Sequence, residues 1–485
     1  MSALLTVFPH LGLIAMVMSL SHLLPLWVSL AYDDGAAAAF GLSMAVNFAA
    51  GCTMWLTTRR TRRELAPRDG ILLVVLAWCG GAAFATLPLL LVIPGLTFTD
   101  AYFETISGLT TTGATVLSNL DALEPSINFW RCLLVWLGGM GLIVLAVAIL
   151  PLLGIGGRQI FKAETPGPMK DSKLTPRITE TAKGLWVVYA LISAACVAAY
   201  RLAGMTWFDA VVHMFSTMGL GGFSSHDASF GYWNSPAIEA VAILFMLIAS
   251  VNFGTHFLAL RSRSTAPYRA DPELGWCLGV MLASCVVITL YLLPLGVYPD
   301  FFTALRYASF NVVSIATTTG YASTDFNLWP VFAPMWMLFL SSFASCSGST
   351  GGGIKMIRAQ LLYLQVYREF VKLLHPSAAM PAKLGRQVIE NKVIFSVLAF
   401  LFIYIASIVA MTLLLMASGL DELTSFSAVV ASINNTGPGL NKVGPATTFA
   451  VLNDLQTWIC TFAMLLGRLE LFTVLIVFTP VFWRR

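Results

Sequence analysis

Four short stretches rich in glycine and hydroxyl side chains recur in an otherwise apolar chain: Gly108-Leu-Thr-Thr-Thr-Gly113, Met218-Gly-Leu-Gly-Gly222, Ala316-Thr-Thr-Thr-Gly320 and Asn434-Asn-Thr-Gly437. Glycine reaches backbone dihedrals that other residues avoid, so successive carbonyls in such a loop can be turned the same way. Loops of this kind arranged around one axis present rings of oxygens that replace the hydration shell of a desolvated cation. The oxygen ligands expected from this pattern are Thr111 and Thr112 before Gly113, Leu220 and Gly221 before Gly222, Thr318 and Thr319 before Gly320, and Asn435 and Thr436 before Gly437. Leu220 qualifies through its backbone carbonyl. The four terminal glycines are separated by 109, 98 and 117 residues, which is an internal repeat with a period near one hundred.

Each loop follows a half-length apolar helix, in 98–116, 207–225, 305–323 and 423–441. Irregular backbone at membrane depth is tolerated only where it is buried in protein or lines water. The surroundings are those of a membrane: 485 residues, 58% hydrophobic, 11% charged, mean hydropathy +0.80. Apolar stretches near or above the ~20 residues needed to span a bilayer lie at 3–31, 36–57, 71–94, 128–155, 185–204, 236–260, 274–296, 331–370, 392–418 and 449–482. The first of these lacks a basic flank and reads as a retained span. Of the 28 Lys and Arg, 23 fall on alternate connections or the C-terminus: five after the second span, six between the fourth and fifth, three after the sixth, seven around the end of the eighth and two at the end. The positive-inside bias predicts a cytoplasmic location for these segments and both termini.

The expected fold is therefore an all-α polytopic membrane protein. Four span–pore-helix–span repeats stand in pseudo-fourfold arrangement around one pore, with two extra N-terminal transmembrane helices. The expected divisions are 1–68 for the N-terminal hairpin, 69–184, 185–272 and 273–390 for the first three repeats, and 391–485 for the fourth. Each half-helix would turn its C-terminal partial negative charge toward the cavity beneath the loops.

Other chemistries find little support. The net charge of +4 does not point to nucleic acid, and the eight cysteines are scattered without a CxxC pair, so neither a transition-metal site nor a disulfide framework is indicated. The run Ser345-Cys-Ser-Gly348-Ser349-Thr350-Gly351-Gly352-Gly353-Ile-Lys355 superficially suggests a phosphate loop, but a P-loop starting at Gly348 needs lysine where Ile354 stands. In its place in the eighth apolar stretch it reads as a break in a helix, either a gate or a passive kink of small residues. Paired intramembrane aspartates, HExxH and a Ser/His set are absent, so an enzyme is not expected.

Arg468 lies in the middle of the last apolar stretch, where a charge costs at least ~2.5–3.5 kcal/mol unless paired or wet. It faces the pore as a barrier to cations, or forms a buried ion pair. Lys355 lies near the inner mouth or in the interface. Glu104 and His213 stand nine residues before their repeat glycines and suit support of the loop or plain packing. Asp100 and Asp209 are candidate caps of their half-helices. With Asp121, Glu124, Asp227, Asp325, Asp421 and Glu422 they make the outer surface acidic, which concentrates cations or is simply a solvated face. Segments 156–184 and 355–392, basic and rich in turns, suit anionic lipid head groups.

The four loops, together with RAQLLYLQVYREFVKLLHP, ETPGPMKDSKLTPRITETAK and the C-terminal GRLELFTVLIVFTPVFWRR, resemble the Trk-type potassium uptake proteins, and within the TrkH/KtrB/HKT superfamily the TrkH branch. The resemblance covers essentially the whole chain. It implies potassium uptake through one pore per subunit, in a bacterial inner membrane, by a homodimer. It also implies a cytoplasmic TrkA-type regulatory ring with RCK domains that carries the nucleotide, so that this chain needs no cofactor beyond the transported K+. Ser345 and Gly348–Gly353 become the intramembrane gate loop, and Arg468 an electrostatic barrier below the filter. In plant relatives a serine at the first filter glycine goes with sodium preference, so Gly113 favours potassium. Strong departures from TVGYG imply modest selectivity. A sodium- or proton-coupled potassium symporter is the alternative, although Arg468 is the one obvious charge along the path.

Overall fold

A computed structural model describes residues 2–59, 66–141, 178–377, 380–384 and 387–484. The basic residues expected at 60–63 and 158–177, and the far half of the 128–155 stretch, lie outside the described residues. The described chain is helical apart from turns and one two-stranded antiparallel hairpin, Lys383–Leu384 with Gln387–Val388.

The N-terminal hairpin pairs Ser2–Ser21 and Leu23–Tyr32 with Ala37–Thr58. Its crossing is set by two glycines. A Cβ on Gly12 would stand 2.6 Å from the Gly51 carbonyl, and one on Gly51 2.7 Å from that of Gly12. Apolar solvent supplies no hydrophobic drive between helices, so close backbone approach through small residues is what holds such a pair.

Four repeats follow. Each has a long helix, a short buried helix, a loop and a second helix. The short helices are Phe98–Leu109, Trp207–Gly219, Phe301–Ala316 and Glu422–Ile433. At ~1.5 Å per residue they run about 18–24 Å, too short to cross ~30 Å of hydrocarbon. Their capping differs from the expectation for the first two repeats. The N-caps are Thr97 and Thr206, whose hydroxyls accept from the Asp100 and Asp209 N–H groups and donate back to those carboxylates. In the third and fourth repeats an aspartate is itself the N-cap, Asp300 and Asp421.

Among the described residues six helices are long and apolar enough to span a membrane, eight if two bent pairs count as one span each. The ten expected spans are reached only when interrupted helices are included. Sequence reading anticipates one interruption, at 345–353. The structure has an interruption in the second helix of every repeat: after Gly139, Ser250, Ser341 and Arg468. Pro236–Ser250 meets Phe253–Ser262 at 91°, and Asp454–Arg468 meets the following helical turns at 116°. Gly141 (φ +73°) and Glu470 (φ +58°) turn the chain in left-handed conformation, and Asn252 restarts a helix by accepting from Gly254 N–H. All four breaks occur on the same level, beneath the glycine loops.

Candidate functional site

The four loops close into a ring. A Cβ on Gly113 would run into the Gly221 carbonyl, one on Gly222 into that of Thr319, one on Gly320 into that of Thr436, and one on Gly437 would stand 2.8 Å from that of Thr112. Each repeat thus abuts the next in chain order, and the fourth abuts the first. Local geometry is equally uniform. Gly113, Gly222, Gly320 and Gly437 have φ between +50° and +96°, and two residues earlier Thr111, Leu220, Thr318 and Asn435 have φ between +54° and +64°. A non-glycine residue in this region is strained by roughly 1–2 kcal/mol. Four equivalent instances mark a backbone shape imposed by the fold.

Hydrogen bonds show what the shape accomplishes. The N–H groups of Thr112, Gly221, Thr319 and Thr436 donate back to Ser107, Ser216, Ser314 and Ala431 of their own short helices at 2.8–3.0 Å. No donor among the described residues reaches the carbonyls of Thr111, Thr112, Leu220, Thr318, Thr319, Asn435 or Thr436, and all seven of these residues are fully buried. Buried carbonyls are normally paired. A ring of unpaired ones is a set of acceptors for a partner the protein does not supply. The side chains play other parts: Asn435 Nδ2 donates to Thr112 Oγ1 (3.0 Å), and Thr110 and Thr317 bond Thr112 and Thr319.

Behind the ring each short helix sends one polar side chain to the strand leaving the filter. Glu104 accepts from Thr115 Oγ1 and Val116 N–H, and His213 Nε2 bonds Ser224 Oγ. Asn311 bonds Ser323, and Ser427 Oγ accepts from Leu440 N–H. Glu104 and His213 therefore act as braces, not as a catalytic pair. Asn311 and Ser427 were not anticipated, although Asn311 shares the nine-residue offset from its glycine. Arg131, in the middle of an apolar helix, was also missed. Its Nε lies 2.8 Å from Glu104 Oε1, its guanidinium sits 4.4 Å over the Phe223 ring, and it donates to Ser224 O and Asn128 Oδ1.

Below the ring lies 345–353. Gly352 N–H donates to Thr318 Oγ1 and Thr350 Oγ1 to Met218 O. A Cβ on Gly351 would stand 3.0 Å from Thr317 O, and one on Gly352 would strike Asn434 O. Arg468 completes the circle by donating to Thr350 O (2.8 Å) and to Gly138 O and Gly139 O of the first repeat. The loop therefore fills the space directly under the filter against parts of all four repeats. Arg468 is the last residue of its helix, at the 116° bend, and not the middle of a span. Its hydrogen bonds go to carbonyls at the helix breaks, while the neighbouring Glu470 pairs with Arg358 at 2.8 Å. Lys355 is buried, with Nζ donating to Gly351 O.

On the filter side many of the acidic residues have structural partners. Asp227 accepts from Leu120 N–H, Asp325 from Asn327 N–H, and Asp421 pairs with Lys442. His226 stacks on Tyr232 (centroids 3.6 Å apart) between Asp121 and Asp209, and joins the first two repeats. Burial works against its imidazolium, but the hydrogen bonds and charge of the two aspartates outweigh it and raise the His226 pKa. Burial pushes Asp121 and Asp209 up, yet their bonds to His226 and neighbouring donors hold both below the ordinary value. The bridge is thus complete between the depressed carboxylate range and the raised imidazole one. Its His226 share is full below the ordinary imidazole pKa and disappears as pH rises through the raised one. Asp121 is largely solvated, so the effect is small, under about 1 kcal/mol. The difference in melting temperature between wild type and His226→Gln is expected to shrink between about pH 6 and about pH 9.

Groups of three or more His, Cys, Asp and Glu placed to hold a metal are absent among the described residues. Residues 37–484 match the family model of TrkH, described as a cation transport protein. The chain belongs to the TrkH family. It is 46% identical to the Trk system potassium uptake protein TrkH of Salmonella typhimurium and 46% identical to that of Halomonas elongata, each over 98% of both chains. It is 39% identical to the TrkG protein of Escherichia coli over 98% of this chain and 97% of the relative. Its fold superposes with a TM-score of 0.90 on the crystal structure of the potassium transporter TrkH from Vibrio parahaemolyticus, at 44% identity and covering 99% and 100% of the two chains. Like these TrkH-family relatives it is a multi-pass helical membrane protein and a transporter, not an enzyme.

Proposed function

We propose that this chain is a potassium uptake pore of the bacterial inner membrane, with K+ held by the carbonyls of Thr111, Thr112, Leu220, Gly221, Thr318, Thr319, Asn435 and Thr436 around the four filter glycines. The observation that carries this reading is the closed ring of buried carbonyls without protein donors. The ion sheds water there and crosses toward 345–353. It is driven by the membrane potential, worth ~2.3 kcal/mol per charge per 100 mV. Ser345 and Gly348–Gly353 form the gate, and Arg468 holds it shut by bonding Thr350 O. Arg468 also repels cations from the closed path. The filter faces outward and both termini lie in the cytoplasm, as the basic connections favour. The chain pairs as a homodimer and docks a cytoplasmic nucleotide-binding ring of TrkA type, with RCK domains. The nucleotide resides on that partner and lipid surrounds the rest. The helix Met356–Leu374 supports an assembly on that side, because Tyr363, Val366, Tyr367 and Phe370 leave an exposed apolar row along it.

Purified protein in proteoliposomes tests the reading. Potassium and rubidium flux well above sodium flux, indifferent to imposed sodium or proton gradients, is the expected result. Flux that requires either gradient would establish coupled symport instead.

A further inference from the structure

Glu273 is a buried carboxylate, 4% exposed, that ion pathway and filter do not use. It precedes the helix Leu274–Leu292, at the end far from the filter. One oxygen, Oε2, accepts from Ser347 N–H at 2.8 Å and from Ile357 N–H at 3.1 Å. No ammonium or guanidinium among the described residues lies within ion-pair distance of it. The carboxylate is therefore held in the interior by two peptide donors that bracket 348–356. A buried carboxylate is costly unless it is hydrogen-bonded, and bonds to an ionised acceptor are about twice as strong as neutral ones. One helical turn further on, Cys277 Sγ lies 3.3 Å from Cys346 Sγ, so the same helix face touches two successive residues at the start of the loop. The rest of that start is fixed by Cys346 N–H donating to Ser250 O and Phe253 N–H to Gly348 O.

We infer that Glu273 is a latch, a positioning residue that clips both ends of the 345–353 loop to the inner end of the third repeat's first helix and so stabilises the closed pore. The inference rests on the reading of 345–353 as the gate. Displacing the loop from beneath the filter carries Ser347 and Cys346 away from Glu273 and Cys277. The Ser347 bond must break, while Ile357, already in the exit helix, can keep its own.

Two measurements on the full chain in proteoliposomes separate the latch from the gate. Diamide, an azo oxidant, takes the two thiol hydrogens and is reduced to the hydrazine as an S–S bond forms between Cys277 and Cys346. That link, identified by mass spectrometry, is expected to silence potassium flux until dithiothreitol restores it, and Cys346→Ser is expected to be indifferent to diamide. Glu273→Ala is expected to raise flux measured without any opening signal about tenfold, the shift that loss of one charge-assisted hydrogen bond carries. The potassium-to-sodium ratio should stay at its wild-type value, which a general loosening of the fold would not preserve. Glu273→Gln keeps an acceptor oxygen without charge and should give a smaller rise, which decides the matter if the alanine variant does not fold. A link that forms without affecting flux would overturn the gate itself. A link that silences flux, with both Glu273 variants at wild-type flux, would leave the gate standing and overturn the latch. Failure of the link to form would refute the contact and the latch together.

Discussion

Replacing Gly113 by serine is expected to reduce potassium flux and to lower its preference over sodium about tenfold. Two effects act together. The position has φ +80°, where a side chain is strained by about 1–2 kcal/mol. The new Cβ also runs into the Gly221 carbonyl, which is backbone and cannot rotate away. The ring must open at the boundary of the first and second repeats, and the Gly221 oxygen shifts with it. Selectivity between two monovalent ions depends on the number and spacing of these oxygens, so the ratio falls further than the flux. Potassium, rubidium and sodium uptake measured on the same vesicles checks this. A ratio unchanged from wild type would remove the Gly113 loop from the selective step.

The largest loss of stability is expected from Glu104→Ala. Glu104 and Arg131 are both essentially unexposed and 2.7 Å apart. Removing one member leaves the other charged in the interior, a loss of about 3–5 kcal/mol. The consequences are not confined to one repeat, because Arg131 also holds Ser224 O and the Phe223 ring of the second. Thermal unfolding in detergent should show the alanine variant melting well below wild type. The double replacement Glu104→Gln with Arg131→Met is expected to recover part of the loss, since a buried pair can be replaced by neutral groups at little cost. If the double variant were worse than the sum of the two single changes, the pair would not be the reason for the loss.

Several features of the molecule follow from residue pattern alone. Apolar stretches of spanning length, four half-length helices and four loops ending in glycine set the architecture, because hydrocarbon admits little besides helices and sheltered loops. The repeat period placed Gly113, Gly222, Gly320 and Gly437 in equivalent positions, and the structure joins them in one ring. The interruption at 345–353 was legible because six of its residues are glycine, serine or threonine in a row. The breaks at Ser250 and Arg468 were not, since apolar residues continue across both and hydropathy does not register a turn in direction. The same limit placed Arg468 in mid-span.

Partnerships were decided by tertiary structure. That Arg468 bonds carbonyls of Thr350, Gly138 and Gly139, that Glu470 takes Arg358, and that Arg131 takes Glu104 depends on which helices become neighbours. These pairs are separated by 27 to 330 positions along the chain. Sequence by itself determined the class, the repeat and the oxygen-bearing loops, because local backbone chemistry and the bilayer's demand for satisfied hydrogen bonds act over short stretches. The closing of four loops into one ring, the filling of the space beneath it and the choice of partner for each buried charge were settled only by the fold, because they are contacts between distant segments that no local pattern encodes.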